Sequence, residues 1–268
     1  CGVVFPIALV IESPIIMLLA GSTALSKDWA SYIKIRRFMM SAGAILTALH
    51  ILVAFTPLYD LVVVRLLRVP AEIVEPARVG LMILTPWTWS IAFRRFNQGV
   101  LIRFGHSRAI GVGTLVRLGA NALVLLSGYL LQSVPGIVVG AGAVACGVLG
   151  EALYTAWRVR PVLRDQVQTA AAVEPLTWTA FYRFYIPLAL TSLLLLIWQF
   201  MGSGAISRMP LALESLAVWP VLSGLVFMLR SPGVAYNEVV VALMDEPGSA
   251  APLLRFTWLL AGGTNLIH

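Results

Sequence analysis

Charge is scarce in this sequence. Asp, Glu, Lys and Arg make up 12% of its 268 residues, 59% are hydrophobic, and the mean hydropathy is +0.90. Soluble domains carry roughly 25% charged residues, and a chain with half that share cannot cover an exterior facing water. Cysteine is scarcer still: Cys1 and Cys146 form no disulfide framework and have no metal-ligand neighbourhood. His50, His106 and His268 make no ligand cluster either, so neither a metal nor a cofactor is expected. The N-terminus lacks a basic region followed by a short apolar core and a cleavage site, which argues against a signal peptide. It also lacks an initiator Met, and the chain stops at His268 inside an apolar run, so it reads as a fragment. No polar cluster of the kind membrane-embedded enzymes present is visible, and Gly111-Val112-Gly113 has neither the strand nor the further glycine of a phosphate loop. The chain does not read as an enzyme.

What the sequence does have is apolar runs long enough to cross a bilayer, which takes roughly 20 residues at 1.5 Å rise. They fall at 2–25, 37–56, 79–102, 109–132, 136–157, 184–203, 213–243 (long and broken) and 253–268. Alternating ten-residue strands are absent, which disfavours a barrel. An all-α polytopic membrane protein of about eight spans is expected, with the lipid bilayer as its first partner. The net charge of +7 does not point to nucleic acid, because Lys and Arg sit mainly between the runs. Connection 26–36 holds Lys27, Lys34 and Arg36, 103–108 holds Arg103 and Arg108, and 158–183 holds Arg158, Arg160, Arg164 and Arg183. The alternate connections 57–78, 133–135 and 204–212 are poorer or offset by acids, so the richer set is expected on the cytoplasmic side.

The chain also repeats itself weakly. Shifted by 218 residues, Ser13-Pro14 falls on Ser231-Pro232, Ala24-Leu25 on Ala242-Leu243, Ser31 on Ser249, Arg37-Phe38 on Arg255-Phe256 and His50 on His268. The repeat implies a bundle over 1–165 that lacks its first span, a linker over 166–180, and the start of a duplicate bundle over 181–268. Two six-helix bundles with a site between them, related by a parallel repeat, are a build of secondary transporters.

Charges inside spans cost about 2.5–3.5 kcal/mol on insertion scales and so point to function. Glu12 precedes Ser13-Pro14, and at the equivalent place Arg230 precedes Ser231-Pro232. A proline frees a backbone carbonyl to face a cavity. Glu12 and Arg230 therefore either face a common cleft or form a kink with a fixed ion pair. Arg94 and Arg95, beside Asn97 and Gln98, either lie within the run 79–102 or mark its mouth; guanidinium groups there favour an anionic ligand. Glu151 follows the glycines Gly140, Gly142, Gly147 and Gly150, which allow close helix contact, and either accepts a proton or pairs with an arginine. Asn237 and Glu238 stand opposite Leu19 and Ala20 in the repeat and could write substrate chemistry into the second half. His50 is either a protonation site or a hydrogen-bonded interior residue. Arg117 reads as an interface anchor.

The stretch Arg94-Arg95-Phe96-Asn97-Gln98-Gly99-Val100-Leu101-Ile102-Arg103-Phe104-Gly105-His106-Ser107-Arg108 resembles the third-to-fourth span turn of multidrug and toxic compound extrusion (MATE) type exporters, within the multidrug/oligosaccharidyl-lipid/polysaccharide (MOP) superfamily. Gly147-Val148-Leu149-Gly150-Glu151 and Tyr185-Ile186-Pro187-Leu188-Ala189-Leu190 look more like the progressive ankylosis (ANK) branch. The resemblance implies an antiporter or efflux protein of the plasma (inner) membrane that works by alternating access, with a proton or sodium as the coupling ion it would use. The ANK branch implies small organic or phosphate anions such as citrate, ATP or pyrophosphate. Lipid or lipid-linked precursor flipping and cationic multidrug efflux are the alternatives. The acidic residue that bacterial relatives use for cation coupling often lies in a first span that this sequence is expected to lack, so no coupling residue is carried over from them; Glu12, Glu151 and His50 are the proton or ion coupling candidates that the residues themselves offer.

Overall fold

The computed structural model describes residues 2–171, 175–244 and 248–267; the side chains of Arg230, Asn237, Glu238, Ala242 and 264–267 lie outside the described part. Helices α1 (Val4–Ile16) and α2 (Leu18–Leu25) form a first span interrupted at Met17. After α3 (Trp29–Phe55), a short helix α4 (Leu58–Asp60) runs into a π-helical turn, Leu61–Leu66. Helices α5 (Ala71–Ile83) and α6 (Thr85–Arg103) are separated only at Leu84. Then come α7 (Arg108–Leu131), α8 (Gly136–Val162, continued by a π-helical turn Leu163–Val167), α9 (Trp178–Ile206), α10 (Ala212–Leu243) and α11 (Ala250–Ile267). The architecture is all-α among the described residues.

The ends of the spans differ from the hydropathy reading. The third helix starts at Trp29 and not near residue 37, so the connection is 26–28 and not 26–36. Asp28 caps it, its carboxylate accepting the Ser31 amide at 2.7 Å. Hydropathy finds the part of a helix that sits in hydrocarbon; Arg36 and Arg37 are exposed on the helix beyond that part. In the same way α8 runs past residue 157, and α9 begins at Trp178, inside the expected linker 166–180.

Six helices among the described residues are long and apolar enough to cross a membrane, where the sequence reading had about eight. Helix α6 is not among them, because Arg94, Arg95, Asn97, Gln98 and Arg103 dilute its apolar content. It is nevertheless an interior helix, packed against α2, α3 and α8. Protein surrounds its polar groups, which is where irregular or polar chain is tolerated at membrane depth. The outer helices show the opposite pattern: Leu123, Leu153 and Leu194 are each exposed by more than two thirds, and Ile45 is 66% exposed.

Hydrogen bonds between connections identify the two ends of the bundle. Lys34 Nζ donates to Leu176 O, and Gln166 Nε2 meets His106 Nε2 at 3.0 Å, so 26–28, 104–107 and the described residues 168–171 and 175–177 share one end. Arg208 donates to Leu66 O at 2.9 Å and Ser203 Oγ to Gly2 O at 2.7 Å at the other. The helix ends that flank these turns carry Lys34, Arg36, Arg103, Arg108 and Arg164, with Lys27 in a turn itself, so the cationic segments gather at one end, as the charge pattern implies.

Candidate functional site

The first site element is Pro14, three residues before the interruption at Met17. Without an N–H, Pro14 cannot bond Val10 O, and Ser13 Oγ takes that acceptor at 2.8 Å. The carbonyls of Ser13 and Pro14 accept hydroxyls from α9: Ser192 Oγ at 2.5 Å and Tyr185 OH at 2.5 Å. Residues 185 and 192 are two helical turns apart and share a face. The cavity-facing role expected of these carbonyls is therefore filled by a tether to α9. Removing a buried partner leaves a carbonyl unsatisfied at about 1–3 kcal/mol. Tyr185→Phe and Ser192→Ala should each lower the apparent melting temperature of the detergent-solubilised protein. Melting temperatures unchanged in both variants would show that these hydroxyls do not hold α9 to α1.

The second element is a buried ionic cluster on α6 and α8. Arg94 Nη1 donates to Glu151 Oε2 at 2.7 Å, Gln98 Nε2 donates to Glu151 Oε1 at 2.8 Å, and Arg117 Nε lies 3.5 Å from Oε2. Positions 94 and 98 are one turn apart, so both reach α8. Arg94 is 4% and Glu151 0% exposed, and α6 continues well past them, so these arginines do not mark a span's mouth. Of the two roles open for Glu151, the structure shows the ion pair. Arg117, read from sequence as an interface anchor, instead reaches inward to Glu151.

The third element is Glu12. It is buried, and neither carboxylate oxygen has a hydrogen-bond partner among the described residues. Arg94 and Arg95 are its electrostatic neighbours. Asn97 is buried close by in sequence with its Nδ2 without a partner among the described residues. Arg95 is turned about 100° from Arg94 around the helix and lines a different space. That space is a cavity of ≈460 Å³ between α1, α9 and α10. Its walls include Phe5, Leu9, Leu195, Trp198, Trp219 and Phe227, and its polar lining includes Ser192, Gln199 and Ser223.

His50 stands apart. Its Nδ1 meets Thr88 Oγ1 and its Nε2 meets Leu81 O, both at 2.9 Å, so both nitrogens are engaged in tying α3 to α5 and α6. The expectations for the side chains of Arg230, Asn237 and Glu238 lie outside the described residues. The α9 contribution was missed from sequence, although Tyr185, Ser192 and Gln199 recur every seven residues through an apolar run and mark one polar stripe.

No family model matches the chain, and no curated protein matches it. A solved structure does: the inward-facing conformation of a multidrug resistance MATE family transporter of the MOP superfamily. It superposes with a TM-score of 0.65 over 97% of this chain and 61% of that chain, at 18% sequence identity. The fold is MATE-like. The chain therefore spans about three fifths of the solved transporter's length. With that fold and six apolar spanning-length helices, this is an integral membrane protein. In MATE-like terms, the buried cluster is internal to the helices α6, α7 and α8, whereas Arg95 faces the gap closed by α9 and α10.

Proposed function

We propose that the chain is part of a secondary active exporter of the plasma (inner) membrane that moves a small organic or phosphate anion by alternating access. One bundle would comprise residues 1–165, and the second would begin at 181 after the linker 166–180. The observation that carries the reading is the cavity between α1, α9 and α10, into which α6 presents Arg95. A guanidinium supplies a planar donor fork for a carboxylate or phosphate. The tethers from Tyr185 and Ser192 to the carbonyls of Pro14 and Ser13 join the first bundle to the helix that would open the second. They are bonds that rocking of one bundle against the other would have to remake. The MATE-like fold supports transport over enzyme chemistry.

Glu12 is the candidate coupling group. It is a buried acid with Arg94 and Arg95 as electrostatic neighbours, and gain or loss of one proton changes the charge balance beside the cavity. The full-length protein in proteoliposomes, loaded and challenged with benzoate, citrate, pyrophosphate or ethidium, tests the reading by counterflow. Exchange of an anion is expected, and Glu12→Gln should abolish its acceleration by an imposed pH gradient. Exchange of none of the four would reject transport, and an undiminished pH response in Glu12→Gln would reject the coupling role. Cationic multidrug efflux is the second reading, favoured by the acid at Glu12 and by the multidrug description of the solved relative; it predicts exchange of ethidium.

A further inference from the structure

The outer surface of α3 carries a feature that transport does not use. Ile33, Arg36, Arg37, Met40 and Ser41 line an open recess at the cationic end of the bundle. We propose that this recess holds the headgroup of an anionic phospholipid, whose acyl chains run down the exposed face of the same helix. It shares no lining residue with the cavity between α1, α9 and α10, so lipid would occupy it whether or not the protein exchanges any solute.

Helical spacing brings the parts of the site into line. Positions 33, 36, 37, 40 and 41 share one face, and that face continues through Ile45, Leu49, Leu52 and Phe55, which are 40% to 66% exposed. Residues 38–55 rise about 27 Å, close to the ~30 Å of a hydrocarbon core. With Phe55 at one boundary of that core, Arg36 and Arg37 stand at phosphate depth at the other. Aromatic rings mark the same level: Trp29, one turn before Ile33, stacks on Tyr32 at 5.2 Å, and Trp178 and Tyr182 are exposed at the start of α9.

Charge selects the headgroup. Two guanidiniums in one recess offer forked donors to phosphate oxygens. Arg36 has Tyr32 as an electrostatic neighbour, a neutral phenol that leaves the positive charge in place. Lys34 is used otherwise: it donates to Leu176 O and lies over the Trp178 ring. Ion pairing does not exhaust the charge of this end. Even with Asp28, Asp165, Glu174, Asp245 and Glu246 all set against them, Lys27, Lys34, Arg36, Arg37, Arg103, Arg108, Arg158 and Arg160 leave a cationic surplus. Each Lys or Arg near a membrane surface strengthens binding of anionic lipid about fivefold. A zwitterionic lipid brings its own cation beside the phosphate and gains less.

The test titrates the purified full-length protein in detergent with dioleoyl phosphatidylglycerol or dioleoyl phosphatidylcholine, and native mass spectrometry reads the first lipid adduct. Phosphatidylglycerol is expected to bind at least fivefold more tightly, with the preference lost in Arg36→Gln/Arg37→Gln and largely kept in Arg36→Lys/Arg37→Lys. Arg103→Gln/Arg160→Gln removes as much charge from the same end outside the recess and should leave the preference intact. Equal binding of the two lipids would overturn the proposal on the wild-type protein alone. So would a preference untouched by Arg36→Gln/Arg37→Gln in a folded variant, or one lost equally in Arg103→Gln/Arg160→Gln, which would mean diffuse attraction and no site. Displacement of the lipid by millimolar glycerol 3-phosphate would assign the recess to a free phosphate, and a dimer in place of lipid adducts would assign it to a second copy of the chain; either result overturns the lipid assignment.

Discussion

Arg94→Met is expected to destabilise the protein by about 3–5 kcal/mol, the cost of leaving a buried carboxylate without its cation. Glu151 is fully buried and takes its shortest contact from Arg94, with Gln98 on the other oxygen. Arg117, at 3.5 Å and a third exposed, is placed to compensate only in part. The double variant Arg94→Met/Glu151→Leu should recover most of the loss, because replacing both members of a buried pair by apolar groups is often neutral or better. Apparent melting temperatures in detergent would show a drop on the order of 10 °C for the single change and a much smaller one for the double. A single variant that melts like the wild type would mean that the pair is not a stabilising element of the bundle. A folded double variant that retains transport would separate this cluster from the substrate path.

The second large effect is expected at Gly99, where a change as small as Gly99→Ala should prevent α2 and α6 from packing. A Cβ there would stand 2.5 Å from Leu19 O and 2.9 Å from Thr23 N, both backbone atoms. No side-chain rotation relieves a backbone clash, so the two helices must separate, at a cost of about 1–3 kcal/mol or more. Thr23 Oγ1, which donates to Leu19 O at 2.9 Å and lies 3.4 Å from Gly99 O, moves with them. The contact is central, because α2 carries the C-terminal half of the broken span and α6 carries Arg94 and Arg95. Reduced yield of monodisperse protein, with loss of counterflow in whatever folds, is the expected result. A Gly99→Ala protein that melts within a degree or two of the wild type would show that the two helices have slack. Gly147 is the comparable position between α7 and α8, where a Cβ would meet the Asn121 amide and, at 3.0 Å, Arg117 O. Gly142, included in the same glycine-rich reading, has open space beside its Cα.

Apolar runs located most of the spanning helices, because in lipid each span must satisfy its own backbone and so announces itself locally. The run 79–102 covers most of α6 but crosses the interruption at Leu84, and its polar residues weaken it. A helix surrounded by protein is free to be polar, and hydropathy alone takes Arg94, Arg95, Asn97 and Gln98 as a dilution of the signal. Helix ends were misplaced for a related reason: charged residues such as Lys34, Arg36 and Arg37 continue a helix into the headgroup region.

The candidate site divides along the same line. The chain by itself determined that Glu12 and Glu151 are costly residues within spans, left Arg94 and Arg95 either within a run or at its mouth, and placed Pro14 where a backbone carbonyl is freed. It also determined that the cationic connections alternate with poorer ones. Local composition and one-dimensional spacing carry each of those facts. Only the tertiary structure decided how these groups pair. Adjacent arginines diverge by 100° on a helix, so Arg94 turns to Glu151 on α8 while Arg95 turns to the cavity beside α9. The partners of the freed Ser13 and Pro14 carbonyls lie 179 and 171 residues away. A sequence shows which polar groups need partners, but the packing of distant helices selects them.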